Sequence, residues 1–334
     1  MAKELEKQNA AMRSYLQSLP EQVKQGYALG AALKLPARYL SAKQILFCGV
    51  GGSAIGMDIL AQAMNESCRI PFSVHRGDNL PRWVGSETLV VLTSCSGDTR
   101  ETLEALREAE SRSARVLAVT SGGVLAREAS RKKFPCVLIP SGMPPRTAVG
   151  YLTFALGGVL VKGGWVDFSA REAAAVSAAI PKMVSKAASM ARLLRGRMIF
   201  LYGDGGSFEV VMKRWRAQFA ENAKTLCSYH STPEMFHNEM EGWSFPKFLP
   251  EKSAVIFFRD RKEPRGLRVK TDLAVKFVKA SGALVLSVTS SETSSFRKVF
   301  PLIAFGDWVS FELARLNKVD PIEIPVIRKI KETH

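Results

Sequence analysis

Two stretches of this chain can be laid on one another: QILFCGVGGSAIGMDILAQAM, starting at Gln44, and RMIFLYGDGGSFEVVMKRWRAQFAENAK, starting at Arg197. Each opens with a short apolar run rich in β-formers, breaks at a glycine turn and continues with helical periodicity. Gly51-Gly52-Ser53 falls on Gly205-Gly206-Ser207. The runs that follow correspond as well: SAVIFFRDRKEP echoes TLVVLTSCSGDT, and ALVLSVTSSET echoes RVLAVTSGGV. Buried apolar runs separated by helices indicate parallel strands in βαβ units. The chain therefore reads as an internal duplication in the α/β class, two similar domains that each hold a mainly parallel sheet flanked by helices. Its 334 residues agree with two cores rather than one. The join falls near Gly163-Gly164, which gives a first domain at 1–165 and a second at 166–334.

Composition narrows the function classes. No apolar run reaches the ~20 residues of a membrane-spanning helix. The N-terminus, MAKELEKQNAAMRSYLQSL, is charged and amphipathic and has no apolar core of a signal peptide. The five cysteines are scattered without a C-x-x-C pair, as expected of reduced thiols in a cytoplasmic protein and not of a zinc site or a disulfide framework. A net charge of +16 raises nucleic-acid binding, but the basic residues are spread along the chain and no aromatic-interleaved basic motif occurs. The same charge suits an anionic small substrate.

The two copies differ where chemistry would sit. The first has SCSGDT, Ser94 to Thr99; the second has RDRKEP, Arg259 to Pro264. Hydroxyls and free N–H groups between a strand and a helix favour a phosphate, and the helix dipole adds to the attraction. A single anion site therefore belongs to the first half. The bland alternative is helix capping by Asp98 or Thr99. GVGGS, Gly49 to Ser53, allows close backbone approach to a ligand, or is a plain strand-to-helix turn. It is not a full dinucleotide fingerprint, because Ala54 takes the last glycine position and RIPFSVHRGD ends its strand on a basic side. It is not a Walker A loop either. GMPPR, Gly142 to Arg146, sets an arginine on a stiff turn, ready for a phosphate or a developing oxyanion, or simply on the surface.

Two of the four histidines, His230 and His237, fall in ENAKTLCSYHSTPEMFHNEMEGW. The preceding helix delivers Glu221 near its C-terminal end, where the dipole disfavours a carboxylate. Taken singly, Glu221 reads as a solvated helix face and His237 as a structural hydrogen bonder. A phosphate cradle, a rigid arginine, a helix-borne glutamate and a loop histidine together are the parts of sugar-phosphate proton-transfer chemistry.

These motifs, GVGGS, SCSGDT, PPR and the ENAK…HNE segment with the ending VDPIEIPVIRKIK, resemble the sugar isomerase (SIS) domain superfamily. Within it the chain is similar to the bifunctional phosphoglucose/phosphomannose isomerases from Ile45 to Lys331. The resemblance implies two SIS-type domains. It implies that Gly52, Ser53, Ser94, Ser96 and Thr99 hold the substrate phosphate, that Arg146 stabilises an enediolate and that Glu221 is the base. It implies that His237 assists ring opening from the partner of a homodimer, and that a lysine of the last helix, Lys331 before Lys329, joins the site. It implies neither metal nor organic cofactor. One departure is Asp98, where the family carries Asn; a carboxylate near a phosphate is unfavourable unless it turns away to cap a helix. A rival from another class is a non-catalytic regulator that binds a sugar phosphate.

Overall fold

The computed structural model describes residues 2–65 and 67–332, with the side chains of 2, 331 and 332 outside the description. Residues 17–179 form one compact unit, and residues 1–16 with 180–334 form a second. The chain opens with α1 (Ala2–Gln17), which buries Met12 and Leu16 against Phe311 of the second unit.

The first unit holds α2 (Leu19–Ala31), α3 (Ala37–Leu40), β1 (Gln44–Cys48), α4 (Gly51–Met64), β2 (Phe72–His75) and β3 (Thr88–Ser94). It continues with α5 (Arg100–Ser111), β4 (Arg115–Thr120), α6 (Gly123–Lys132), β5 (Cys136–Leu138) and α7 (Val149–Lys162), and the division falls inside α8 (Ala170–Val184). Its five strands are all parallel, in the order β2-β1-β3-β4-β5. β3 is buried at every residue, as a central strand covered on both faces must be. Leu46, Val90 and Leu92 meet Ala105, Leu106 and Leu125 under α5 and α6. α2 and α7 approach through glycines: a Cβ at Gly30 would stand 1.9 Å from the Ala155 carbonyl oxygen, and one at Gly158 2.5 Å from that of Tyr27.

The second unit adds α9 (Ala187–Leu194), β6 (Met198–Asp204), α10 (Gly205–Glu221), β7 (Cys227–Thr232), β8 (Ser253–Asp260), α11 (Arg265–Ala280), β9 (Leu284–Ser290), α12 (Ser295–Asn317) and α13 (Pro325–Glu332). Four parallel strands run β7-β6-β8-β9. One face buries Tyr202, Val255 and Phe257 beneath Met235 and Trp243 and beneath Ala274 and Val278 of α11. The expected duplication is thus present as two parallel-sheet α/β units. In both, the first strand of the sheet lies between its two successors, so the connections leave in opposite directions at β1/β3 and at β6/β8. Such a reversal opens a crevice beyond the strands' C-terminal ends, where ligands of doubly wound sheets bind. Among the described residues, no helix is long and apolar enough to cross a membrane.

Candidate functional site

At the β1/β3 reversal the sequence places its two most suggestive turns side by side. GVGGS follows β1 and opens α4; SCSGDT follows β3 and opens α5. Buried Ser53 ties them, its hydroxyl accepting from the Cys95 N–H at 3.0 Å. Ser94, also buried, accepts from the Gly97 N–H at 3.0 Å and lies 2.8 Å from the Thr99 hydroxyl. Ser96 is exposed and accepts from the Asp98 N–H at 3.3 Å. The PPR turn joins the same place: a Cβ at Gly52 would lie 2.9 Å from the Arg146 backbone nitrogen, so only glycine lets the two turns meet this closely. Arg146 itself is buried. Gly52, Ser53, Ser94, Ser96, Thr99 and Arg146 are therefore brought together in the first unit.

The capping alternative can be checked at the two helix starts. Neither Val50 ahead of α4 nor Thr99 ahead of α5 makes a side-chain cap hydrogen bond. The alternative reading, capping of α5 by Asp98 or Thr99, is not what the structure holds. The Thr99 hydroxyl turns to Ser94, and the Asp98 carboxylate accepts instead from the Val124 N–H at 2.8 Å, in the first turn of α6. Asp98 thus spends its charge on a neighbouring helix, while the first amides of α4 and α5 keep their anion-binding character. Cys95 is buried between them, and burial pushes its thiol up, which suits scaffolding better than nucleophilic use.

A third turn, Ser121-Gly122-Gly123 after β4, is not among the motifs the sequence singles out, yet it locks the loop. The Cys95 carbonyl accepts from the Ser121 N–H at 3.1 Å and from its hydroxyl at 2.6 Å. Gly97 has φ +78°, and a Cβ there would sit 1.9 Å from the Gly122 carbonyl oxygen. The signal available for it is the SGG that follows VLAVT, in the same strand-to-turn position as the two recognised loops.

In the second unit Glu221 is the last residue of α10, and α12 pins that helix. Buried Arg214 donates to both Asp307 oxygens at 2.9 Å, and the Trp215 indole donates to the Leu302 carbonyl at 2.8 Å. Asn222, fully buried, donates to the Ser310 hydroxyl at 2.9 Å. Each lost bond would loosen the end of the helix that carries Glu221. His237 ends a single 3-10 turn and is exposed; beside it Asn238 accepts from the Glu239 N–H at 2.6 Å. His230 points elsewhere. Its Nδ1 lies 3.4 Å from Glu239, which also accepts from the Tyr202 hydroxyl at 2.8 Å, and Tyr202 accepts from the Trp243 indole at 3.0 Å. Burial and then the Glu239 carboxylate push the Tyr202 phenol up, so it remains a donor. His230, Glu239 and Trp243 of this relay line a cavity of about 480 Å³ with Phe200, Phe245 and Leu249. Lys329 lies on the exposed part of α13, and the side chain of Lys331 lies outside the described residues.

Two parallel-sheet domains with a hydroxyl-lined, helix-flanked loop cluster define a SIS-domain protein. Residues 38–161 match the SIS domain, and residues 183–333 match the bacterial phospho-glucose isomerase C-terminal SIS domain. A bifunctional phosphoglucose/phosphomannose isomerase of Caldicellulosiruptor bescii is 31% identical over 94% of this chain and 96% of its own length. One of Aquifex aeolicus is 30% identical over 87% of this chain and 90% of its own length. A solved structure of a hypothetical protein from Thermus thermophilus shares the fold at a TM-score of 0.76, with 17% identity over 99% of this chain and 93% of that one. The chain belongs to the bifunctional phosphoglucose/phosphomannose isomerase family.

Proposed function

We propose that this protein interconverts glucose 6-phosphate and mannose 6-phosphate with fructose 6-phosphate by proton transfer through a cis-enediolate. The observation that carries the reading is the pair of side-chain-uncapped helix starts, α4 and α5, held together by Ser53, Ser94 and Thr99 in a chain of this family. In the reading, the substrate phosphate binds Ser53, Ser96 and the first amides of both helices, while Gly52, Ser94 and Thr99 shape the cradle. Binding energy gathered at the phosphate, remote from the reacting carbons, holds the sugar in place for the transfer.

His237, reaching from the partner of a homodimer, opens the ring together with Lys331. Its exposure is compatible with such a role. Glu221 then takes the proton from C2, and the bond electrons move to form the C1–C2 double bond. Charge gathers on O1, where Arg146 stabilises it. The O2 hydroxyl proton passes to O1, and Glu221 returns its proton to C1. Glucose and mannose 6-phosphate differ only at C2, so both give one enediolate and one ketose if either face of C2 can be presented to the base.

The test is an assay on fructose 6-phosphate that reads glucose 6-phosphate and mannose 6-phosphate separately, for wild type and Glu221→Gln. Both products should form, and the variant should lose on the order of 10²–10⁴-fold in kcat. A Glu221→Gln protein that turns over like wild type removes Glu221 as the base. Thermal stabilisation by fructose 6-phosphate with no turnover in the wild type identifies a binding protein instead.

A further inference from the structure

The turn after Glu221 contains a lysine in an unusual position. The Thr225 N–H reaches back six positions to the Phe219 carbonyl at 3.0 Å, one residue wider than the closure that ends many helices. That closure puts Lys224 in the left-handed region, at φ +53°, a place that glycine fills without a Cβ penalty. Lys133 and Lys318 end helices in the same conformation, so it is the ammonium and not the backbone that sets Lys224 apart. It donates to the Glu221 carbonyl at 2.6 Å, to the Asp320 carbonyl at 2.6 Å and to the Glu323 carbonyl at 2.7 Å. Three donors meet three backbone acceptors, the full capacity of a lysine. One acceptor belongs to the last residue of α10. The other two belong to the turn that leads into α13, itself shaped by Asp320, whose carboxylate accepts from the Ile322 N–H at 2.7 Å.

We infer that Lys224 is a positioning residue for the reaction: its ammonium clamps the end of α10 to the entry of α13 and so holds Glu221 and the lysine-bearing final helix in one fixed relation. The inference rests on the reading of Glu221 as the base. Lys224 touches no reacting atom; it acts through the backbone of Glu221. Residues 320 and 323 are almost a hundred positions away in the chain. The same turn is tied to the end of α12 by Asn317, whose amide donates to the Ala223 carbonyl at 3.1 Å and to the Thr225 hydroxyl at 3.3 Å, and Lys224 extends that link to the turn that enters α13. A base displaced by about 1 Å can lose ~10²-fold in rate.

The variants Lys224→Gly and Lys224→Met separate this role from a plain structural one. Both remove the clamp, but glycine also relieves the left-handed backbone. In the full-length chain, kcat for fructose 6-phosphate should fall roughly 10–100-fold in both, with KM within about threefold of wild type. The melting temperature of Lys224→Gly should equal or exceed that of Lys224→Met. A Lys224→Gly protein with kcat within about twofold of wild type overturns the inference while Glu221→Gln stays inactive, and so does a rise in KM alone. Turnover by Glu221→Gln removes the base, and the positioning role with it.

Discussion

The two sheet reversals occupy equivalent places in the duplicated fold and have opposite contents. The helix starts at both reversals lack side-chain caps, but at β1/β3 they are lined by hydroxyls and glycines. At β6/β8, the equivalent turn is filled with paired charges. Arg259 donates through Nε to Glu263 at 3.1 Å and through Nη1 to Asp272 at 2.8 Å, and Lys298 pairs with Asp260. The Lys262 N–H closes on Asp260 at 2.8 Å. A crevice whose polar groups already satisfy one another has little to offer an anion. The same topology therefore carries the proposed ligand cradle in one unit and a salt-bridge lattice in the other, and the side chains after the strand make the difference. Topology alone would have nominated both sites.

The strongest way to break this contrast is to destroy the cradle from within. Gly97→Ala puts a Cβ where 1.9 Å separates it from the Gly122 carbonyl oxygen, at a φ of +78°. Loop 95–99 must then part from loop 121–123. We expect roughly 2–4 kcal/mol of lost stability, read by urea unfolding, together with loss of fructose 6-phosphate binding. The same substitution at Gly266, which opens α11 at the other reversal and has no atom within 4 Å of its added Cβ, should leave binding intact. Equal loss of binding in both would mean that the β1/β3 loops are not the phosphate site.

A smaller change sharpens the contrast. Ser94→Ala deletes the acceptor of the Gly97 N–H without adding volume. Leaving a buried donor unpaired costs about 1–3 kcal/mol. If that strain falls on the phosphate-binding form of the loop, KM should rise about tenfold, equivalent to ~1.4 kcal/mol, at nearly constant kcat. Asp260→Asn, which removes a carboxylate from the lattice at the other reversal, should leave KM unchanged.

Much of this is legible in the sequence because it is local. Strand-to-turn-to-helix order, the repeat of Gly-Gly-Ser and the clustering of Ser94, Ser96 and Thr99 are all set by neighbours in the chain. What stays hidden depends on partners far along it. Asp98 reads as a cap for its own helix, but Val124 offers its N–H from 26 residues on. Ser121 seals Cys95 from the next crossover. Lys224 reads as one more basic residue after a helix, because neither a positive φ nor carbonyls 96 and 99 residues away can be seen in local pattern. The choice between His230 and His237 is open on composition and follows only from the family resemblance; His230 Nδ1 lies 3.4 Å from Glu239, and His237 is exposed.

The smallest expected effect lies in the lattice and is a matter of pH. Partial burial is the largest single influence on the Asp260 carboxyl and pushes it up, but Lys298 and the Lys262 N–H together bring it below the ordinary carboxylate value. A carboxyl lowered in the folded state binds its proton less readily there than in the unfolded chain. The pairing therefore adds stability above the unfolded value of about 3.9, and that contribution is lost as pH falls through the lower folded value. Asp260→Asn should be less stable than wild type by about 1 kcal/mol at pH 7. The difference should persist to about pH 4.5 and shrink below pH ~4, as the wild type protonates and comes to resemble the variant. Melting curves of both proteins between pH 7 and 3 measure it directly. A gap that stays constant through that range would mean that the lattice owes its stability to packing rather than to charge. Its lack of a free anion site would then have to come from shape and not from self-satisfied ion pairs.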